Sequence, residues 1–330
     1  MRTNIQGKKI LFIGTNFYDY EKIIISQFEF EGAKIFYFSS VVNTLIKKIL
    51  VRLPLKNFLD YYVAKVVSNR IEKSPTNIDY IFVIKGENMK ESHFEQIEKR
   101  YPRIPRILYL WDSLCNIDNV ELLFDKFDSI LTFDRKDAEN RNLIFRPLFY
   151  RNLVHSDVNV EYDISFVGTA HSIRYNTVRQ LKSLLDNNGV TYKFVLTIDI
   201  FDYFKRLLKK EIDFRDRKMF VKHVIPYNEY ISIGLKSNVI FDIPAPSQNG
   251  LTIRSIETLG LGKKLLTTNK DICNYGFPDS FYNVYDPKMP ELNLQFIKNT
   301  DMDKLDISYY SIESFVDDII SSFPHLNIET

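Results

Sequence analysis

The sequence predicts an α/β protein with two doubly wound parallel sheets, one in each half of the chain. Its 330 residues are too many for one comfortable core and suit two domains of ordinary size, with a cleft between them. Short apolar segments alternate with amphipathic segments, which is typical of parallel strands joined by helices. The alternation starts afresh after residue 160. We therefore expect an N-terminal domain over residues 1–150 and a C-terminal domain over 151–330.

Five strands are predicted in the N-terminal domain, at 9–14, 34–38, 79–84, 105–110 and 128–133. Between the second and the third, residues 41–59 carry apolar side chains at helical spacing and predict one amphipathic helix. Its basic residues fall largely on other faces: Lys47, Lys48, Arg52 and Lys56. Such a helix can lie on an anionic membrane surface, or it can pack its apolar face against its own sheet.

Five further strands are predicted in the C-terminal domain, at 162–168, 191–198, 218–224, 238–244 and 263–269. Helices are expected at 172–185, 228–236, 250–261 and 312–323. Because Pro147 breaks any helix after the first domain, we place the linker at about 147–160. The last of these helices is expected to pack back on the N-terminal domain.

Charge and cysteine content restrict the partners of this protein. Lysine and arginine number 44 against 42 for aspartate and glutamate, and a net charge of +2 gives no general attraction to nucleic acid. Cys115 and Cys273 belong to no Cys-x-x-Cys or Cys/His cluster, so we expect no disulfide framework and no zinc site. No run reaches the roughly 18 apolar residues that a membrane span needs. These features predict a cytoplasmic protein without a nucleic-acid partner.

Two glycines, Gly14 and Gly168, end the first predicted strand of each domain, where ligands of open α/β sheets bind. Neither turn contains the three-glycine dinucleotide fingerprint, which argues against another Rossmann-type enzyme such as an epimerase or dehydrogenase. The second turn offers groups suited to phosphate, namely helix amides, Thr169, His171 and Arg174. Alternatively, Gly168 only permits a tight turn and Arg174 is a solvated helix residue.

The segment 247–269 is the most informative part of the sequence. Gly250 is expected to begin a helix whose N-terminus can face an anion, with Arg254 and Glu257 on one side of it. A carboxylate can accept hydrogen bonds from a ribose diol, and a guanidinium can bridge two diphosphate oxygens. The alternative is an ordinary exposed Arg–Glu pair on a helix surface.

Several segments of the sequence resemble GT-B glycosyltransferases. They are FVGTAHSIRYNTVRQL, GLTIRSIETLGLGKKLLTTN and, more loosely, RILYLWDS with FDSILTFDRKDAENRNLIFRPLFY. The resemblance is in particular to a bacterial group associated with capsule and lipopolysaccharide biosynthesis and similar to spore-coat-type family 1 transferases. It implies two Rossmann-like domains that face a central cleft. It also implies transfer of a sugar from a nucleotide-sugar donor to a bacterial surface glycan, such as capsule, O-antigen or lipopolysaccharide.

The resemblance implies positions for the donor as well. Glu257 matches the glutamate that usually holds the ribose, and the loop from Gly168 to His171 matches the one that faces the diphosphate. Donor contacts are further expected from Asn249, Gly250, Leu251 and Thr252. Many retaining members carry a glutamate where this chain has Asn249, which leaves retaining or inverting transfer open. The same departure motivates an alternative, a catalytically inactive GT-B-like binding or partner protein.

Acceptor binding is assigned to the N-terminal domain, where charged and aromatic residues follow the strands. An inverting transfer needs a general base, for which the candidates, in order, are Asp112, Asp19 and Glu87. Trp111 offers an aromatic face for a sugar ring unless it belongs to the core, and Gly14 marks the turn after the first strand. Residues 41–59 suggest peripheral contact with the membrane in which lipid-linked acceptors are found.

Asp301-Met302-Asp303 matches the Asp-x-Asp string that holds a divalent cation in the other large glycosyltransferase architecture. It lies in a polar stretch away from any strand end, so we interpret it as a solvated loop. We expect no catalytic metal and no cofactor, the nucleotide sugar being a co-substrate. Arg254, Arg174 and helix N-termini are expected to stabilise the departing diphosphate instead.

Overall fold

The computed structural model describes residues 5–17, 19–51, 53–151, 158–300 and 304–324. The chain divides into two compact units. The first unit comprises Met1–Arg151, Pro246–Gly250 and Ser308–Thr330, and the second comprises Asn152–Ala245 and Leu251–Ile307. The string Asp301-Met302-Asp303 and part of the predicted linker, residues 152–157, lie outside the described residues.

The first unit contains one parallel sheet. Its strands are β1 (Lys9–Gly14), β2 (Lys34–Ser39), β3 (Tyr80–Ile84), β4 (Arg106–Leu110), β5 (Ser129–Thr132) and β6 (Ile144–Phe145). The spatial order is β2-β1-β3-β4-β5-β6. The central strands are buried apolar runs, as expected where both faces of a sheet are covered. All five predicted strands are confirmed, whereas the two-residue β6 is too short to leave a pattern in the sequence.

The second unit repeats this architecture. Its strands are β7 (Tyr162–Thr169), β8 (Tyr192–Thr197), β9 (Phe220–Val221), β10 (Ser237–Asp242), β11 (Lys264–Thr267) and β12 (Tyr282–Val284). The order is β12-β11-β10-β7-β8-β9, and all neighbours are parallel. Of the strand predicted at 218–224, only the two residues of β9 are in the sheet, and β12 was not predicted.

Helices connect the strands of both sheets. The first unit has α1 (Tyr20–Phe30), α2 (Leu45–Leu50), α3 (Lys56–Lys73), α4 (Glu91–Arg100) and α5 (Arg135–Arg141). The second unit has α6 (Ser172–Asn187), α7 (Ile200–Leu208), α8 (Tyr227–Leu235), α9 (Ile253–Gly260) and α10 (Leu294–Lys298). Among the described residues, none of the helices combines the length and the apolar character that a membrane span requires.

Residues 41–59 do not form the single helix that their periodicity predicts. Helix α2 begins after Thr44, whose side chain accepts a hydrogen bond from the Lys47 amide, and it ends at Leu50. A new helix, α3, starts at Lys56. Pro54 lies between the two helices, and because proline lacks an amide hydrogen and restricts the residue before it, the helix cannot run through.

Helix α9 begins three residues later than expected. The segment from Gly250 was predicted to be helical, but Thr252 is the N-cap and Ile253 the first helical residue. The Thr252 hydroxyl accepts a hydrogen bond from the Ser255 amide at 3.1 Å, the usual arrangement at a helix start. Gly250 therefore lies in the loop before the helix.

The helix predicted at 312–323 is α11 (Ile312–Ser321), and it belongs to the first unit. Its Phe315 packs on the rings of Tyr109 and Phe149, at centroid distances of 4.9 and 4.7 Å. Its Asp318 forms an ion pair with the buried Arg146, with Nε and Oδ2 2.6 Å apart. The first unit thus draws its core from both ends of the described chain.

Candidate functional site

The centre of the second sheet is a topological switch point. Strands β7 and β10 are neighbours, yet the chain continues from β7 to β8 on one side and from β10 to β11 on the other. In open α/β sheets, ligands bind beyond the carboxyl ends of the strands at such a point. Here those ends are Gly168 and Thr169 of β7 and Asp242 of β10. The predicted donor residues on α6 and α9 follow these two strands.

Asp242 organises the carboxyl end of β10. Its carboxylate is fully buried and accepts hydrogen bonds from the hydroxyls of Thr252 and Ser255 at 2.6 and 2.7 Å. Its other oxygen pairs with Arg254, whose Nη1 is 3.1 Å away. Asp242 was not among the residues predicted from the sequence, although an acidic residue at the end of the apolar strand NVIFD was a usable signal.

Arg174 joins the ends of the same two strands. Its Nε donates to the carbonyl oxygen of Ile243 and its Nη1 to the hydroxyl of Thr169, both at 2.8 Å. Burial, together with the nearby charge of Arg254, lowers the pKa of Arg174, and Asp242 opposes this effect. Two guanidiniums and one carboxylate therefore meet at the switch point. The two guanidiniums suit an anion such as a diphosphate, whose oxygens each of them can bind in pairs.

The start of α6 lies at this edge as well. His171 is the N-cap, its side chain is exposed, and the first turn of α6 contains no acidic residue. The first amides of a helix lack intrahelical partners, and the helix dipole favours negative charge at this end. A Cβ atom on Gly168 would lie 2.8 Å from the Phe166 ring, so a glycine is needed here for packing. The turn can receive a phosphate, and both roles of Gly168 are compatible.

Glu257 is one turn beyond Arg254 on α9 and is only 1% exposed. Its Oε1 accepts a hydrogen bond from the hydroxyl of Tyr227 at 2.9 Å. An ordinary exposed Arg–Glu pair is therefore the wrong description, because Glu257 is buried and Arg254 pairs with Asp242. A ribose that bonded to Oε1 would take the place of the Tyr227 hydroxyl.

The run from Asn249 to Thr252 is held by contacts within each unit. In the first unit, Asn249 accepts a hydrogen bond from the Lys136 ammonium at 3.0 Å. A Cβ on Gly250 would come within 2.7 Å of the ring and the carbonyl oxygen of Phe133, which explains the glycine. In the second unit, Leu251 is buried, and Thr252 is the N-cap of α9.

The first unit brings two of the three predicted base candidates together. Lys85 follows β3, and its ammonium lies 3.2 Å from Glu87 and 3.5 Å from Asp112, which follows β4. Asp112 also accepts hydrogen bonds from the Ser113 amide and the Asn116 side chain. Lys85 has a φ of 64°, a left-handed conformation that costs energy in a residue other than glycine. The Lys85 ammonium thus lies between the two carboxylates and pairs with both.

The other predicted residues of the first unit have different surroundings. Asp19 is exposed and pairs with Lys22 at 2.8 Å, a hydrogen bond that lowers the pKa of its carboxyl group. Trp111 is part of an aromatic cluster, because its ring centroid lies 5.8–6.1 Å from those of Phe17, Tyr20, Tyr109 and Phe149. It is half-buried, and one part of its surface stays open.

Glu21 occupies the turn after β1, a role that was not predicted from the sequence. Its carboxylate accepts hydrogen bonds from the amides of Thr15 and Asn16 and from the hydroxyl of Tyr37 at 2.6–2.9 Å. A Cβ on Gly14 would come within 2.7 Å of this carboxylate. A carboxylate of the chain itself therefore fills the turn after β1, whereas the first turn of α6, after β7, contains no acidic residue. The signal was an acidic residue seven positions after Gly14.

A cavity of about 460 Å³ lies beside this turn in the first unit. Its lining comprises Thr15, Asn16, Val41, Val42, Asn43, Lys47 and Val51. Within the part of the chain that the structure describes, no three histidine, cysteine, aspartate or glutamate side chains are grouped as a metal site would require.

The two parallel six-stranded sheets give the chain the GT-B fold, with a Rossmann-like architecture in each unit. No protein-family model and no curated protein matches the sequence. Several solved structures, however, are similar to the structure of this chain. MurG of Acinetobacter baumannii is similar at a TM-score of 0.55 and 8% identity, over 96% of this chain and 99% of that one.

Two further similar structures contain sugar compounds. A UDP-forming α,α-trehalose-phosphate synthase from Burkholderia xenovorans, in complex with glucose-6-phosphate, has a TM-score of 0.57 and 9% identity over 97% of each chain. The UDP-GlcNAc 2-epimerase of Neisseria meningitidis, bound to UDP-GlcNAc, has a TM-score of 0.52 and 11% identity over 95% of this chain and 99% of that one. At such identities the similarity shows the shared fold.

Proposed function

We propose that this protein is a glycosyltransferase that takes a sugar from a nucleotide-diphosphate donor. The observation that carries the proposal is the pair Arg174 and Arg254 at the switch point between β7 and β10. Ligands of open sheets bind at this point, and the two guanidiniums suit a diphosphate. Structures of the same fold include a UDP-forming synthase and an epimerase bound to UDP-GlcNAc, which supports a nucleotide sugar as the ligand.

The donor would lie across the N-termini of α6 and α9. Thr169, His171 and the first amides of α6 would face the diphosphate, with Arg174 and Arg254 on its other oxygens. Glu257 would accept hydrogen bonds from the ribose after Tyr227 moves away. As the bond from the sugar to the diphosphate breaks, negative charge grows on the leaving group, and fixed guanidiniums stabilise it most at that stage. This arrangement supplies the leaving-group stabilisation without a metal ion.

The first unit would bind the acceptor. Asp112 is the preferred general base, since it is partly exposed and held by Lys85 and Asn116. It would take the proton of an acceptor hydroxyl while that oxygen bonds to the anomeric carbon and the diphosphate leaves. Glu87 shares Lys85 and is the second candidate, and Trp111 offers its open edge to a sugar ring. We place the enzyme in the cytoplasm, with a bacterial surface glycan of the capsule, O-antigen or lipopolysaccharide type as its acceptor.

A binding or partner protein without catalysis is the second candidate. Two contacts favour it: the carboxylate of Glu257 is covered by Tyr227, and Asn249 is already bonded to Lys136. Such a protein would bind a nucleotide or a nucleotide sugar and leave it unchanged.

One experiment separates these functions. Purified protein is incubated with a panel of nucleotide sugars, and both the free nucleotide and the remaining sugar nucleotide are analysed. Slow release of free nucleotide identifies a transferase and its donor, because transferases hydrolyse donors slowly when no acceptor is present. An altered sugar with its nucleotide still attached would indicate an epimerase. A thermal shift with a donor that stays intact would indicate the binding protein.

A further inference from the structure

Helix α2, the turn after it and the first turns of α3 expose many apolar side chains. We call residues 45–61 the α2–α3 surface. Its exposed apolar members are Leu45, Ile46, Ile49, Val51, Leu53, Leu55, Phe58 and Tyr61. Leu45 is 77% exposed and Ile49 60%. Single exposed apolar residues are common, but eight in so short a segment indicate a surface that is covered by something else.

The charge of this segment indicates what covers it. Residues 45–65 contain Asp60 as their single acidic residue and five basic ones, Lys47, Lys48, Arg52, Lys56 and Lys65. Apolar side chains interspersed with basic ones favour the interface of an anionic bilayer, where the former enter the acyl boundary and the latter meet lipid phosphates. A symmetric contact with a second copy would bring like charges together, because both copies present the same patch.

The cavity of about 460 Å³ borders the α2–α3 surface. Lys47 and Val51 belong to both, whereas Thr15 and Asn16 connect the cavity to the carboxyl end of β1. Val51 is 60% exposed, so this border is open to the outside. A molecule held at the surface of a bilayer would therefore meet the cavity at the same edge of the first unit.

We propose that the α2–α3 surface binds an anionic bilayer and so holds the cavity against it. The polar head of a lipid-linked acceptor then enters the cavity while its lipid stays in the bilayer. The identity of the bound molecule as an acceptor rests on the proposed function, whereas binding to the bilayer does not.

Vesicle flotation with the full chain tests the first part. We expect binding to vesicles of phosphatidylglycerol and phosphatidylcholine, weaker binding to phosphatidylcholine alone, and loss of binding at 1 M salt. The double variant Ile46→Ser/Ile49→Ser should bind at least about tenfold more weakly, since it removes two anchoring side chains outside the cavity lining. The matched control is Phe201→Ser/Leu208→Ser, which removes two apolar residues from α7 in the second unit that are even more exposed than Ile46 and Ile49.

The proposal is wrong if the wild type does not bind anionic vesicles, or if both double variants lose binding to the same extent. A wild-type dimer that the Ile46→Ser/Ile49→Ser variant abolishes, without vesicle binding, would assign the surface to self-association. Donor hydrolysis in solution, without vesicles, should be the same in the wild type and this variant. If the wild type hydrolyses no donor but floats with vesicles, the proposed function fails and the membrane contact remains.

An environment-sensitive fluorophore tests the position of the cavity. It is attached to Asn43→Cys, or to Lys193→Cys on β8 as the control, in a background of Cys115→Ser and Cys273→Ser. Anionic vesicles should shift the emission to the blue at residue 43 only. Flotation without a shift at residue 43 would show that the cavity faces away from the bilayer.

Discussion

Arg254 donates from Nη1 to Oδ1 of Asp242 at 3.1 Å, where the loop after β10 leads into α9. The same carboxylate holds Thr252 and Ser255 in the first turn of α9, so one buried group fixes both the helix start and the guanidinium. A charged group that is already held in place needs little reorganisation when charge develops beside it. The fold of the second unit therefore fixes the position of the Arg254 guanidinium before any ligand binds.

Arg254→Ala should lower turnover by about a hundredfold at saturating donor, the scale of removing one fixed electrostatic donor. Arg254→Lys should be substantially impaired too, since lysine keeps the charge but loses the planar fork. Steady-state kinetics measure the turnover of both variants, and their melting temperatures serve as the folding control. Near-normal turnover in both would reduce Arg254 to a structural partner of Asp242.

Glu257→Ala should weaken nucleotide binding by about 1.5–3 kcal/mol, the scale of a hydrogen bond to a charged group. Because Glu257 is buried and bonded to Tyr227, the variant should also lose about 1 kcal/mol of stability. The matched variant is Tyr227→Phe, which removes the same internal bond and leaves the carboxylate for the ribose. Calorimetry should show nucleotide affinity kept or increased in Tyr227→Phe. Equal affinity losses in both variants would argue against a ribose at Glu257.

Donor turnover should persist in excess EDTA, because Arg174, Arg254 and two helix N-termini can stabilise the leaving diphosphate. The measurement is nucleotide release before and after chelation. If EDTA abolished release and manganese or magnesium restored it, attention would return to Asp301 and Asp303.

Lys264 gives the stability a pH dependence. Burial lowers the pKa of this lysine from 10.5 to about 8, while its ammonium donates to the carbonyls of Phe296 and Asn299. Between pH 8 and 10.5 the unfolded chain binds more protons at this site than the native chain does, so stability should rise with pH in that window. The unfolding free energy of the wild type, relative to that of Lys264→Met, should rise by up to roughly 3 kcal/mol across this pH range. Urea unfolding over this range checks it, and a difference that stays constant would contradict it.

Arg146→Met should destabilise the protein by about 1–3 kcal/mol, because it leaves the partly exposed Asp318 unpaired and removes the buried donor to the Tyr309 carbonyl. Asp19→Asn, which breaks the exposed pair with Lys22, should leave the stability almost unchanged, because solvent screens such a pair. Chemical denaturation of both variants makes the comparison. Similar small losses would mean that Arg146 contributes little to holding α11.

The fold could be predicted from the sequence because its strands are local features. Segments such as KILFIG and RILYL are continuous apolar runs, and burial on both faces of a parallel sheet requires such runs. Helix ends were harder to predict. The cap at Thr252 and the break at Pro54 depend on single residues within periodic segments, and periodicity does not reveal where a helix starts.

The site was only partly predictable, since its contacts join distant positions. Arg254 meets Asp242 across 12 residues, and Glu257 meets Tyr227 across 30. No spacing rule within one helix or strand shows such contacts. The pairing of Lys85 with both Glu87 and Asp112 depends likewise on two strands lying side by side. The exposure of the α2–α3 surface could not be predicted, because an amphipathic pattern does not show which face stays open.

Helix α11 has a consequence for the order in which the chain acquires its structure during synthesis. The aromatic core around Tyr109 and Phe149 includes Phe315, and the ring of Tyr80 lies 4.4 Å from that of Phe323. Residues 1–151 alone therefore lack part of their own core when they leave the ribosome, whereas the second sheet is complete once residue 284 has emerged. Domains usually fold in the order in which they are made. Here all strands of the N-terminal sheet are made first, but the core that packs on them is the last to be completed, when α11 has emerged.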